Sequence, residues 1–146
     1  MEYTIREYRK TDLAEVMASW ENASQLAHPF LTKAFVDKER YNIPNLYLPT
    51  AETWVAELNG RVIGFIALIG NEVGGLFVEP TFQGIGVGRA LMDKAQERHG
   101  ELEVEVFEAN SSGHRFYSSY GFDRLSEKIH EETGDKVLRL RFTTNK

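Results

Sequence analysis

The sequence has no cysteine, which excludes disulfide frameworks, thiolate zinc sites and cysteine nucleophiles and is compatible with a reducing compartment. Long apolar runs are missing too. Nothing approaches the roughly 18 consecutive apolar residues of a membrane span, and the opening MEYTIREYRK lacks the apolar stretch of a secretion signal. A cytoplasmic protein with no membrane role is expected. Positive charge is in short supply, with 17 Lys plus Arg against 22 Asp plus Glu and a formal net charge of −5. The footprint of a nucleic-acid binder is therefore absent, and a cationic or amine-bearing partner fits better. His99, His114 and His130 lack metal-ligand spacing, so no metal is expected. No serine nucleophile motif, internal repeat, low-complexity stretch or linker is evident.

What is present suits one globular domain over residues 1–146, with 42% hydrophobic residues and nine Phe, six Tyr and two Trp to fill a core. Tyr3 and Ile5 alternate in a short strand, Thr11 or Asp12 caps a helix, and Leu13, Val16, Met17 and Trp20 recur at helical spacing. A short helix is expected around 32 to 41, with a loop after it. TWVAELNGRVIGFIALIG reads as a hairpin turning at Asn59-Gly60, and Gly70-Asn71 makes the next turn. In the following strand, EVGGLFVE, Gly74 and Gly75 predict a bulge or a close approach to the backbone. A helix from Gly86 to about His99 carries Val87, Ala90, Leu91 and Ala95 on one face and stops at Gly100. LEVEVF sets Leu102, Val104 and Val106 against Glu103 and Glu105. Asn110 to Ser112 then cap a helix ending at Gly121, and FDRLSEKIH and KVLRLRF pair antiparallel. The fold class expected is α/β of the α+β type, a mixed and mostly antiparallel sheet of about six to seven strands flanked by about four helices.

The stretch FVEPTFQGIGVGRALMDKA runs from strand through a glycine turn into a helix, an arrangement that aims bare backbone N–H groups at an anion. A Walker A loop needs Lys-Ser/Thr after the last glycine, where Arg89-Ala90 stands instead. A dinucleotide fingerprint starting at Gly86 would need glycine at Leu91. The third pattern, Q-x-x-G-x-G, is met by Gln83, Gly86 and Gly88.

With this motif, with VFEANSSGHRFYSSYGF downstream and IREYRKTDLAEV at the start, the chain resembles the GNAT superfamily of N-acetyltransferases. The resemblance implies acetyl-CoA as cosubstrate and a GNAT-like single domain. It implies that the backbone of Leu76, Phe77 and Val78 pairs with the pantetheine arm. Gln83, Gly84, Ile85, Gly86, Val87, Gly88 and Arg89 would hold the pyrophosphate, with Asn110 and Phe116 also on the cofactor side. Asn110 reads equally well as a helix cap. Tyr117 takes the family position of the acid that protonates the departing thiolate, against a packing role beside Phe116 and Tyr120, the runner-up hydroxyl. An ammonium acceptor must first lose a proton, since its pKa is about 10.4. Glu72 is the first candidate base, against a solvated turn residue; Glu103 and Glu105 could line an acceptor groove. His28 and Phe30, from AHPFL, fall in the acceptor-side region, where packing is the competing role.

The implied reaction is direct attack by a primary amine in a ternary complex, the amine belonging to a small molecule, a peptide amino terminus or a protein lysine. The alternative is an acyl-CoA sensing module without turnover. A monomer or a homodimer is expected.

Overall fold

The computed structural model describes residues 2–144. Among them are seven strands and four α-helices: β1 (Thr4–Glu7), α1 (Leu13–Ala27), α2 (Lys33–Asn42), β2 (Glu52–Leu58), β3 (Arg61–Ile69), β4 (Glu72–Val78), α3 (Val87–His99), β5 (Leu102–Phe107), α4 (Ser111–Tyr120), β6 (Asp123–Ile129) and β7 (Lys136–Phe142). The strands form one sheet in the order β1-β2-β3-β4-β5-β7-β6, antiparallel except where β4 meets β5.

Alternation along β3 decides what covers each face. Val62, Phe65 and Ala67 point to one side, where Val16 and Trp20 of α1 close a core with Leu48 and Val55. Ile63, Ile66 and Leu68 point to the other, against Val87, Leu91, Met92 and Ala95 of α3 and the Tyr117 and Tyr120 rings of α4. A side-chain period of two, stepped by one residue at Ile63 where the β2–β3 register slips, thus feeds two helical faces from one strand.

The local signals act as their chemistry requires. Asn59 and Gly60 turn β2 into β3 with φ of +52° and +80°, the signature of a type I′ hairpin. Asp12 precedes α1 and is held by Arg6 at 2.9 Å and by the Arg9 N–H at 2.7 Å. Thr32 caps α2 by accepting from the Phe35 N–H. The register between β3 and β4 slips between Ala67 and Leu68, leaving Gly74 as the extra residue of the expected bulge.

The loop expected after residue 41 is instead a π-turn over Ile43–Tyr47 that continues α2. Pro44 has no N–H to offer the carbonyl of Arg40. The helix widens by a residue rather than unwinding, and the Leu48 N–H reaches the Ile43 carbonyl at 2.9 Å.

Candidate active site

β4 and β5 pair only through Glu72 with Glu103 and Val73 with Val104. Beyond that point the bulge at Gly74 bends β4, and the two strands separate. From Gly74 to Val78, β4 keeps β3 on one edge and has no strand among the described residues on the other. A cavity of about 830 Å³ occupies the opening.

One end of the cavity is the turn between β4 and α3. Gly84 and Gly86 sit at φ +86° and +93°, conformations that glycine adopts without the penalty a Cβ would bring. Gly86, at the helix start, supplies no side-chain cap, which leaves first-turn N–H groups of α3 for a ligand anion. Gln83 Nε2 donates to the Val78 carbonyl at 3.0 Å and ties the turn to β4. Arg89 in the first turn of α3 and Arg115 on α4 line the cavity, and neither has an ion-pair partner among the described residues. The Arg89 guanidinium lies 5.1 Å from the centre of the Tyr120 ring.

The other end is aromatic. His28, which closes α1, meets the rings of Phe30 at 5.8 Å, Phe77 at 6.5 Å and Phe107 at 5.4 Å. Phe107 meets His130 at 5.5 Å, and His130 meets Phe35 of α2 at 5.7 Å. Glu39, one helical turn beyond Phe35, also lines the cavity.

Asn110 joins the two ends. Its Oδ1 accepts from the Gly113 N–H at 3.0 Å, capping α4. A backbone N–H can only donate, so the amide orientation is fixed and Nδ2 is the atom 3.3 Å from His28 Nε2. That ring nitrogen must accept. The imidazole proton therefore sits on Nδ1, 3.2 Å from Ser24 Oγ. Burial lowers the His28 pKa to about 4, in keeping with a neutral ring. An added Cβ at Gly113 would stand 2.6 Å from Asn110 Nδ2, so glycine there makes room for the cap.

Tyr117 lies between the ends on α4, 8% exposed and edge-on to Phe116 and Phe122 at 5.3 and 5.2 Å. Tyr117 lines the cavity, and its hydroxyl makes no hydrogen bond among the described residues. Burial pushes it above the ordinary phenol value. Tyr120 differs: its hydroxyl donates to Asp93 Oδ1 at 2.6 Å and accepts from Gln96 Nε2 at 2.9 Å, away from the cavity.

Of the residues expected on the cofactor side, Leu76, Phe77, Val78, Gln83, Gly84, Gly86, Gly88, Arg89, Asn110 and Phe116 line the cavity. Ile85 turns outward at 42% exposure and Val87 is buried in the core, which leaves them only backbone groups to contribute. His28 lines the cavity, while Phe30 reaches it only by packing on His28 and Phe107. Glu72 lines it as well, but both carboxylate oxygens accept from the Arg139 guanidinium. Such a bidentate pair suits anchoring better than proton abstraction. Glu103 is taken by Arg139 and Arg141, and Glu105 by Arg139 and Lys128.

Sequence reasoning missed Phe35, Glu39, Phe107, Arg115 and His130. Only Phe107 carried a usable signal, as the aromatic residue on the strand face that otherwise holds Glu103 and Glu105.

The description "Acetyltransferase (GNAT) domain" matches residues 49–124. The peptidyl-lysine N-acetyltransferase YiaC of Escherichia coli is 30% identical over 130 residues, covering 88% of this chain and 89% of its own. The peptidyl-lysine N-acetyltransferase YjaB of the same organism is 34% identical over 124 residues, 84% of this chain and 83% of its own. The solution structure of apo YjaB superposes with a TM-score of 0.87 at 28% identity over 97% of this chain and 98% of that one. The PaiA N-acetyltransferase of Thermoplasma acidophilum, in complex with coenzyme A, shares the fold with a TM-score of 0.71 at 18% identity, over 95% and 98% of the two chains.

Proposed function

This chain belongs to the GNAT acetyltransferase family and transfers the acetyl group of acetyl-CoA to a primary amine; on that premise we propose that the amine is a protein lysine side chain, attacking directly in a ternary complex within one domain of residues 1–146. The observation that carries the reading is the cavity between β4 and β5, cationic at its glycine turn and aromatic at its far end. The two peptidyl-lysine acetyltransferases among the relatives support the choice of lysine.

Acetyl-CoA supplies an activated thioester. In this reading the backbone of Leu76, Phe77 and Val78 takes the pantetheine arm as a further strand would. The turn from Gln83 to Arg89 holds the pyrophosphate through backbone N–H groups, the positive end of α3 and the Arg89 guanidinium. Asn110 and Phe116 flank the arm, and His28 holds Asn110 in register. With its Nε2 lone pair occupied by Asn110, His28 serves as a positioning residue rather than a base.

The aromatic end withholds water from an ammonium and so favours the neutral amine. The displaced proton leaves to solvent, and Glu72, paired with Arg139, acts as an anchor. The amine nitrogen attacks the thioester carbonyl, the C–N bond forms as the C–S bond breaks, and the Tyr117 hydroxyl gives its proton to the departing sulfur; the proton the nitrogen sheds as the amide forms returns the tyrosinate to the neutral phenol. A thiol has a pKa of roughly 8.5 in water, below that of a buried phenol. The same desolvation raises the thiolate's proton affinity and narrows the gap.

Thiol release from acetyl-CoA, with mass analysis of the products, tests the acceptor. An amino-terminally blocked lysine peptide is expected to turn over fastest and to gain one acetyl group on its lysine. Faster turnover of a lysine-free peptide with a free amino terminus, or of simple alkylamines, would overturn the choice.

A further inference from the structure

We propose that Glu39 is an acceptor-recognition residue, selecting lysines that lie next to a second positive charge; this rests on the lysine reading above.

Three carboxylates line the cavity among the described residues: Glu39, Glu72 and Glu105. Arg139 holds both Glu72 and Glu105. Glu39 has no ion pair, and its one hydrogen bond is from the Tyr47 hydroxyl at 3.3 Å. Its chain neighbours compensate only in part: Lys38 acts on it through space, yet burial prevails. Lys38 is committed to Glu132 at 2.7 Å, and Arg40 to Glu21 at 2.6 Å and to Asp37. The Glu39 carboxyl is pushed upward mainly by burial, as expected of a carboxylate that has lost water without gaining a cation. A cationic group arriving there restores what burial removed.

Position separates this role from catalysis. The rings run from Phe77 on β4 through His28, Phe107 and His130 to Phe35, and Glu39 lies a helical turn past the last of them. The reacting amine belongs at the Phe77 end, beside the thioester-binding strand. A carboxylate at the outer end meets whatever flanks the lysine. The π-turn supports the arrangement, since Tyr47, its last residue, reaches back to orient Glu39. The polarity is also consistent: Arg89, without an ion pair among the described residues, stands at the coenzyme end and Glu39 at the acceptor end.

The experiment compares kcat and KM for blocked peptides of one sequence in which the lysine is flanked by Arg, Ala or Glu. Wild type is expected to prefer the Arg-flanked peptide over the Ala-flanked one by roughly tenfold, the scale of one charge-assisted contact. In Glu39→Gln that ratio falls to about one, with the change carried by KM, while retained acetyl-CoA affinity shows that the variant is folded. Glu39→Lys shifts the preference toward the Glu-flanked peptide. A wild type without preference, or a Glu39→Gln enzyme that keeps it, overturns the proposal. If no peptide is acetylated, the lysine reading has failed, and Glu39 is then judged on 1,4-diaminobutane against butylamine. Loss of the diamine preference in Glu39→Gln supports the role, and equal use of the two amines by wild type overturns it.

Discussion

Tyr117 combines two properties that seldom coincide in a buried tyrosine: a ring packed on Phe116 and Phe122 and a hydroxyl with no protein partner among the described residues. A hydroxyl left without a protein partner, on a residue that lines the cavity, is available to a ligand. Tyr120, three residues on, has its hydroxyl fully occupied by Asp93 and Gln96. The two tyrosines are therefore separable by substitution. Tyr117→Phe keeps the ring and removes only the donor. Turnover is expected to fall by about 10²-fold, a typical effect of removing a general acid, with acetyl-CoA affinity little changed. Wild-type turnover in a regime where chemistry limits the rate would remove Tyr117 from the reaction.

At the level of elements, the site is made by what β4 does at its two ends. The bulge at Gly74 parts it from β5, and the glycine turn delivers it into α3. Gly86→Glu addresses the turn. The left-handed φ of +93° costs a residue with a Cβ about 1–2 kcal/mol, which lowers Tm by a few degrees without unfolding a domain of this size. The added Cβ would stand 3.5 Å from the Tyr3 hydroxyl, and the carboxylate places a negative charge at the N-terminus of α3, where it repels an incoming phosphate, so acetyl-CoA binding is expected to vanish in calorimetry while the circular dichroism stays native. Unchanged affinity would put the coenzyme elsewhere. These elements were legible in the sequence because their requirements are local: a glycine where φ is positive, an asparagine where α4 needs a cap, alternation in LEVEVF. The acceptor end was not. Glu39, Phe107 and His130 come from α2, β5 and the β6–β7 connection, and they meet because β7 inserts between β5 and β6. No local period encodes that insertion. The π-turn was hidden for a related reason, since Pro44 reads as a helix stop when its neighbours are not known to hold the widened turn in place. Glu72 fitted a base by position alone, and its pairing with Arg139 depends on a strand 67 residues away in the chain.

At the centre of the sheet α1 covers one face and α3 and α4 the other, and the sheet opens where its parallel pair is incomplete. Where the two strands still pair, Glu72, Glu103 and Glu105 are gathered by Arg139. Exposed pairs of this kind contribute little stability one by one, about 0–1 kcal/mol, but together they hold β4, β5 and β7 in register at the base of the gap. The central claim is that one cavity has a coenzyme end and an amine end. Backbone amide NMR on the labelled protein tests it most directly, by titration first with coenzyme A and then with a lysine peptide. Coenzyme A is expected to shift the amides of residues 74–78 and 84–89, and the peptide those of His28, Phe35, Glu39, Phe107 and His130. Peptide-induced shifts confined to the glycine turn, or coenzyme-induced shifts that leave it untouched, would contradict the account.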